Sequence, residues 1–251
     1  MHLISIKQMV LSLGTAALCW LCFVELACGG EGKPKMEQTG DSFYYQRQEM
    51  LDRQLARRDI RDNNVLAAMG RVLRHEFVPS PYRSQSYTDG PLSIGHEQTI
   101  SQPYIVALMT QLAQVDSNSI VLEVGTGSGY QAAILAELVD QVYSIEIVES
   151  LCLLADSTLK RLGYANISVK CGDGYRGWPE HAPFDAILVT AAPDHIPQPL
   201  IDQLKVGGHL IIPVGENDQD LLDITKAASG VVKKSVIPVR FVPMTGEAEE
   251  K

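Results

Sequence analysis

Short apolar blocks recur along the C-terminal half of the chain, and most are followed by a stretch with helical spacing. Ile120–Val124 is continuously apolar apart from Glu123 and reads as a buried strand. Ser128–Leu138 then reads as a helix, Gln141–Ile147 as a second strand, and Val148–Leu162 as a second helix closed by Gly163. Ile167–Cys171, Phe184–Thr190 and His209–Val214 supply three more strands, with a short helix, Gln198–Leu204, ended by Gly207 and Gly208. Leu221–Thr225 and Val231–Val242 read as two further strands joined across Ser229-Gly230, a hairpin signal. This alternation predicts an α/β fold: a doubly wound, mostly parallel sheet with helices on both faces and an antiparallel hairpin at its C-terminal edge.

Upstream the pattern changes. Met50, Leu51, Leu55, Ile60, Val65, Leu66 and Met69 fall near helical spacing, so Phe43–Met69 is expected to be a helical extension. Arg71–Gly95, with Pro79, Pro81, Gly90 and Pro91, reads as irregular, and Gly30–Ser42 as a polar linker. Before it, His2 and Lys7 precede a 16-residue apolar run, Met9–Val24, ended by Glu25 and then Ala27, Cys28, Gly29 and Gly30. That is a signal-like leader, and it is shorter than the roughly 20 residues a membrane span requires. The 251 residues thus divide into a leader and linker, 1–42, and a domain, 43–251. Within the domain, 43–117 is the N-terminal helical part, 118–246 the α/β core and 247–251 a tail.

Composition is that of a soluble globular chain, 45% apolar and 20% charged. The net charge of −9 weighs against nucleic acid as a partner, because phosphate binding needs a basic face. The basic cluster Arg53–Arg74 is interleaved with acids and reads as solvated helix faces. Cys19 and Cys22 sit inside the apolar run, which argues against a redox or metal role, and no metal is expected. Cys152 and Cys171, alone in the body, read as two buried thiols rather than a disulfide.

The chemistry gathers at the strand ends. Val121–Tyr130 reads Val-Leu-Glu-Val-Gly-Thr-Gly-Ser-Gly-Tyr, an apolar strand with an acid near its end and a glycine-rich turn opening a helix. Such turns let a nucleoside ligand approach the backbone closely, where any Cβ would intrude. Gly125, Gly127 and Gly129 differ from the dinucleotide fingerprint, whose third glycine would fall at Tyr130. Three acids suit a cationic nucleoside instead, and S-adenosylmethionine is the expected cofactor. Glu123 is placed near its amino-acid end. Glu146, 17 residues after Gly129, is placed to accept both ribose hydroxyls. Asp173, before Gly174, is placed to accept from the adenine amino group. A second segment, His96–Tyr104, precedes the apolar stretch Ile105–Leu112. Pro103 suits the first turn of a helix there and Ser101 its cap.

Thr99-Ile100-Ser101-Gln102-Pro103 together with Val121–Tyr130 resembles the protein-L-isoaspartate O-methyltransferase family. The likeness continues through Gly172-Asp173-Gly174, Ala182–Ile187 and Pro199–Gly208, and closes with Ile237–Gly246. It spans Tyr45 to Gly246. The resemblance implies a class I S-adenosylmethionine-dependent methyltransferase, Rossmann-like, that methylates isoaspartyl and D-aspartyl residues of damaged peptides and proteins and so starts their repair. It implies Ser101 as the active-site serine, with Thr99, Ile100 and Gln102 between cofactor and substrate. It also implies Thr126 and Thr245 beside the cofactor. Ile237–Met244 would offer extended backbone to a peptide. A monomer is expected. A cytoplasmic enzyme is expected, because a start at Met36 would remove the leader; use of the leader would instead give a periplasmic or membrane-anchored form.

Overall fold

The computed structural model describes residues 41–250. The leader, with most of the linker, lies outside them. The central sheet has seven strands, β3 (Ile120–Val124), β4 (Gln141–Glu146), β5 (Ile167–Cys171), β6 (Phe184–Val189), β7 (Leu204–Val214), β8 (Gln219–Ala227) and β9 (Gly230–Val239), in the order β5-β4-β3-β6-β7-β8-β9. The first five are mutually parallel, and β8 and β9 add antiparallel pairs at one edge. The chain runs outward from β3 to β5 and then returns to β6 on the other side of β3. Strand order therefore reverses at β3, and ligand clefts form outside the carboxyl ends of strands at such a point.

Period-two alternation explains why β3 is buried on both faces. Val121 joins one core with Val142, Ala186, Leu188 and the helix residues Ala133 and Leu159. Leu122 and Val124 join the other with Ile145, Ile187, Leu210 and Leu200. Glu123 falls on the first face. Asp185 fixes the start of the sheet: its carboxylate accepts from the Ile120 N–H (2.8 Å) and from Lys205 Nζ (2.7 Å). The helices between strands are α4 (Tyr130–Ala136), α5 (Glu149–Arg161) and α6 (Gln198–Asp202). Gly163, at φ 88°, follows α5 with Gly163 N donating to Lys160 O and Tyr164 N to Leu159 O, so it terminates the helix in the left-handed conformation a glycine accepts without strain.

Five expectations are corrected. Phe43–Met69 is not one helix. A short α1 (Tyr44–Glu49) runs into a π-helical stretch, Met50–Ala56, and α2 (Asn63–Arg71) starts afresh at Asp62, whose side chain caps Asn64 N and Val65 N. Arg71–Gly95 is not wholly irregular: it ends in β1 (Leu92–Gly95), which pairs antiparallel with β2 (Gln98–Ile100). Ser101 does not cap α3 (Pro103–Leu112); Gln102 holds that position, without a side-chain bond. Gly207 and Gly208 lie inside β7 rather than after a helix, and a Cβ at Gly208 would meet Asp185 O at 2.6 Å. Cys152 and Cys171 are not thiols: they form a disulfide, Cα–Cα 5.5 Å, joining α5 to the end of β5. A helix residue and a strand end 19 positions apart meet because α5 packs back on β5, a pairing that spacing alone does not reveal.

Candidate functional site

A cleft opens at the carboxyl ends of β3, β4 and β6. Its floor comprises Gly125–Ser128, Ile145–Val148, Asp173-Gly174 and Thr190-Ala191. Its roof comprises Gln98–Ser101 on one side and Val242–Thr245 on the other. The glycines are sterically required. Gly125 sits at φ 98°, and a Cβ there would be 2.4 Å from Thr190 Oγ1. A Cβ at Gly174 would be 2.4 Å from Val124. Thr190 Oγ1 donates to Gly125 O (2.6 Å), tying β6 to the turn. Gly129 does not line the cleft; at φ 87° it is the N-cap of α4, and a Cβ there would lie 3.3 Å from Leu159.

Glu146 shapes the turn. Its Oε2 accepts from Gly127 N (2.7 Å) and its Oε1 from Val148 N (2.9 Å), so the carboxylate is fixed in orientation with lone pairs left over. Glu123 lies behind the lining and is fully buried. Ser144 donates to its Oε2, Thr126 is 2.6 Å from Ser144, and Glu123 Oε1 has no partner among the described residues. Burial pushes the Glu123 carboxyl up to about 8, against the Ser144 hydrogen bond and with help from the negative charge of Glu146. Asp173 reaches the cleft as Glu146 does, with one N–H on each oxygen and lone pairs left over: Oδ1 accepts from Tyr175 N (2.8 Å) and Oδ2 from Glu247 N (2.7 Å).

The Ser101 segment crosses between two cavities. Thr99, Ser101, Thr190, Val242 and Pro243 line both the cleft and a neighbouring groove, which continues along Gln102, Ile105, Gln219 and Pro238–Phe241. Gln102 belongs to the groove alone and donates to Asp89 Oδ1 (2.7 Å). Ser101 Oγ has no hydrogen-bond partner among the described residues. The Ser101 backbone, by contrast, is held by a residue that sequence reasoning assigned to a solvated face. Arg74 is fully buried; its Nε donates to Ser86 O (2.7 Å) and its Nη2 to Ser101 O (2.8 Å), with the Tyr130 ring 4.8 Å away. Burial lowers Arg74 to about 10, so it stays charged at neutral pH. The one hint of its role was its place at the end of a basic run beside an apolar stretch. Thr190 was also missed, because a threonine ending a strand gives no signal of its own.

The histidines are occupied structurally. His75 is 2.9 Å from Tyr87 Oη, His96 2.9 Å from Ser150 Oγ, and His209 2.8 Å from Asp223; His181 stacks on Tyr143. The cleft lining includes Glu146 and Asp173 and no Lys, Arg or His among the described residues. An acidic cleft with a glycine floor fits a cationic nucleoside and disfavours the pyrophosphate of a dinucleotide.

Fold and cleft together define a class I methyltransferase. The chain matches the family model for protein-L-isoaspartate(D-aspartate) O-methyltransferase over residues 45–249, and it belongs to that family. It is 55% identical over 222 residues to a protein-L-isoaspartate O-methyltransferase of Synechococcus sp., covering 85% of this chain and 91% of the relative. It is 55% identical over 204 residues to that of Gloeobacter violaceus, covering 80% of this chain and all of the relative. Among solved structures, a protein-L-isoaspartate O-methyltransferase aligns with TM-score 0.74 at 30% identity, covering 80% of this chain and 67% of that one. The beta-aspartate methyltransferase of Plasmodium falciparum, in complex with S-adenosyl-L-homocysteine, aligns with TM-score 0.69 at 29% identity, covering 79% and 98%.

Proposed function

We propose that Ser101 is the group that orients the methyl acceptor, and that the observation carrying this is its unbonded hydroxyl on the wall shared by cleft and groove. The enzyme methylates the free carboxylate of L-isoaspartyl and D-aspartyl residues in damaged peptides and proteins, which starts their repair. When bound, S-adenosylmethionine supplies an electrophilic methyl group on a cationic sulfur. The floor residues Gly125, Thr126, Gly127, Glu146 and Gly174, with Thr99, Ile100 and Thr245 above, would hold it. Glu123 and Gly129 act from behind that lining, one as a buried acid and the other by seating α4. Asp173, also in the lining, would contribute a carboxylate to the donor while accepting from the Glu247 N–H just beyond the Val242–Thr245 segment.

The acceptor carboxylate has a pKa of about 4 in water and is ionised at neutral pH, so no general base is required. That agrees with a cleft lining in which no histidine stands among the described residues. Ser101 Oγ donates one hydrogen bond to a carboxylate oxygen. Its grip is modest, because the negative charge disappears as the ester forms and tight ground-state binding would slow the step. The groove along Pro238–Phe241 accepts the flanking peptide as an extended segment. The enzyme acts as a monomer.

Ser101→Ala is expected to lower kcat about tenfold to hundredfold through loss of positioning, with S-adenosylhomocysteine affinity unchanged. The assay is radiolabelled methyl transfer to two peptides differing only in aspartyl linkage. Wild-type turnover in the variant would remove Ser101 from the reaction.

Cytoplasmic activity follows if translation starts at Met36. An exported form is favoured by a specific observation, the Cys152–Cys171 bridge, since disulfides persist in oxidising compartments and are rare in the cytosol. No helix among the described residues is long and apolar enough to cross a membrane. N-terminal sequencing of the protein from its native cell distinguishes the two forms.

A further inference from the structure

We propose that the Cys152–Cys171 disulfide is a redox-sensitive clamp on the donor cleft, so that reduction by a dithiol weakens donor binding; this rests on the donor-site reading above. The bridge joins the two segments that flank Glu146. Downstream, Val148 N is bonded to Glu146 Oε1 and α5 begins at Glu149, with Cys152 in its first turns. Laterally, Cys171 is the register partner of Glu146 across β4 and β5, and the next residue, Gly172, donates its N–H to Glu146 O (2.8 Å). The following residues, Asp173 and Gly174, are cleft lining.

The clamp acts at the weakly anchored end of β5: Ile167 and Val169 pack against the core, whereas Lys170 and Cys171 are exposed. This is the edge strand of the sheet, and none of its five residues is fully buried. The apolar contacts that hold α5 come from Leu151, Ala155 and Leu159, on the helix rather than on the strand end. At the strand end the disulfide replaces burial. An edge strand with few buried contacts belongs to the least stable part of a fold, so the Gly172-Asp173-Gly174 turn is the element expected to loosen when the bond opens.

The two cysteines differ in exposure. Cys152 is 1% exposed, whereas Cys171 is exposed. A thiolate of an external dithiol attacks the Cys171 sulfur, the S–S bond breaks, and Cys152 leaves as a thiolate that takes up a proton. The second thiol of the reagent then displaces Cys171 from the mixed disulfide, leaving two protein thiols and one oxidised dithiol.

The test uses the full chain, air-oxidised or treated with dithiothreitol, with thiol alkylation and mass spectrometry to verify each state. S-adenosylhomocysteine affinity is measured by calorimetry, and circular dichroism checks that the reduced protein stays folded at the working temperature. The expected result is a loss of about five- to tenfold in affinity on reduction. The variant Cys152→Ser/Cys171→Ser should match the reduced protein and ignore the dithiol, which separates the bridge from Cys19, Cys22 and Cys28. Equal affinity in both states, or a dithiol effect that persists in the double variant, overturns the clamp. If the double variant does not fold, the comparison of oxidised and reduced wild type decides alone. Failure of the oxidised protein to bind S-adenosylhomocysteine at all would sink the donor-site reading, and the clamp with it.

Discussion

The floor and the roof of the cleft are built by different means. The floor is a set of parallel strand ends whose turns follow from local sequence: apolar strand, glycine, helix. The roof is two segments from distant parts of the chain, β2 to Ser101 and Val242 to Thr245, each held by a few long-range hydrogen bonds. Arg74 holds the first through Ser101 O, 27 residues away. The second is held directly by Ala192, whose N–H donates to Val242 O (2.8 Å) and whose O accepts from Met244 N (2.8 Å), and beyond its end by Asp173 and Arg176 at Glu247. The floor supplies affinity for the donor and the roof supplies the geometry of transfer. Perturbing each should therefore give different signatures.

The largest effect is expected in the roof. Arg74→Ala leaves the Ser86 and Ser101 carbonyls without their buried donor and removes the guanidinium from the Tyr130 ring. Unsatisfied buried groups cost roughly 1–3 kcal/mol each, so the loss should be on the order of 4 kcal/mol. Chemical denaturation measures it, and a change below about 1 kcal/mol would mean that water replaces the side chain.

In the floor, Glu123 sets a pH dependence. Its folded-state value of about 8 lies above its ordinary 4.5, so between those values the folded protein holds a proton that the unfolded chain has lost. The stabilisation is fully present below the ordinary value and disappears as pH rises through the folded one. From pH 5 to pH 8 wild-type stability should fall at up to about 1.4 kcal/mol per pH unit, about 3 kcal/mol in all after allowance for other groups. Glu123→Gln should flatten that slope. Denaturation at both pH values tests it; parallel curves for wild type and variant would show that the carboxyl is ionised in the folded state.

The same division explains what was legible from the residues alone. The Val121–Tyr130 strand, turn and helix are readable because period-two burial and a glycine turn are local patterns, whereas the order of the strands across the sheet is not. The parallel part of the sheet follows from alternation, and its antiparallel edge from the hairpin signal at Ser229-Gly230. The roof was not readable in this way. The Ser101 segment was noticed as a helix start, and through a family likeness, but its hairpin with β1 was hidden in a proline-rich stretch. Arg74 looked like a surface cation because nothing local marks a charge destined for two carbonyls. The disulfide was hidden for a related reason: two cysteines on elements that touch only after folding look like isolated thiols. Asp173 stands in the cleft lining where the acid after a strand is expected, while its hydrogen bond to Glu247 N depends on a contact no local pattern encodes.

Glu146 sharpens the comparison from the floor side. Glu146→Gln keeps one acceptor for the Gly127 or Val148 N–H but removes the charge. A hydrogen bond to a charged group is worth about 1.5–3 kcal/mol, so donor affinity should fall about tenfold to hundredfold while the fold is retained. Calorimetry with S-adenosylhomocysteine reads this directly, and wild-type affinity would exclude Glu146 from donor binding.

The smallest effect tests the roof at its outer edge. Arg176 donates to both Glu247 oxygens (2.6 and 3.0 Å), and Glu247 N donates to Asp173. The ion pair is exposed on the arginine side, where screening leaves little net energy. The Asp173 bond is to the backbone and survives substitution of the Glu247 side chain. Glu247→Gln should therefore change donor affinity by at most about fivefold, and the change should shrink further in high salt. Asp173→Asn should do more, because it weakens the acceptor for both the Tyr175 and the Glu247 N–H groups. If Glu247→Gln exceeded Asp173→Asn, the end of the roof would be held by surface charge rather than by the hydrogen bonds to Asp173, and its contribution would weaken in high salt.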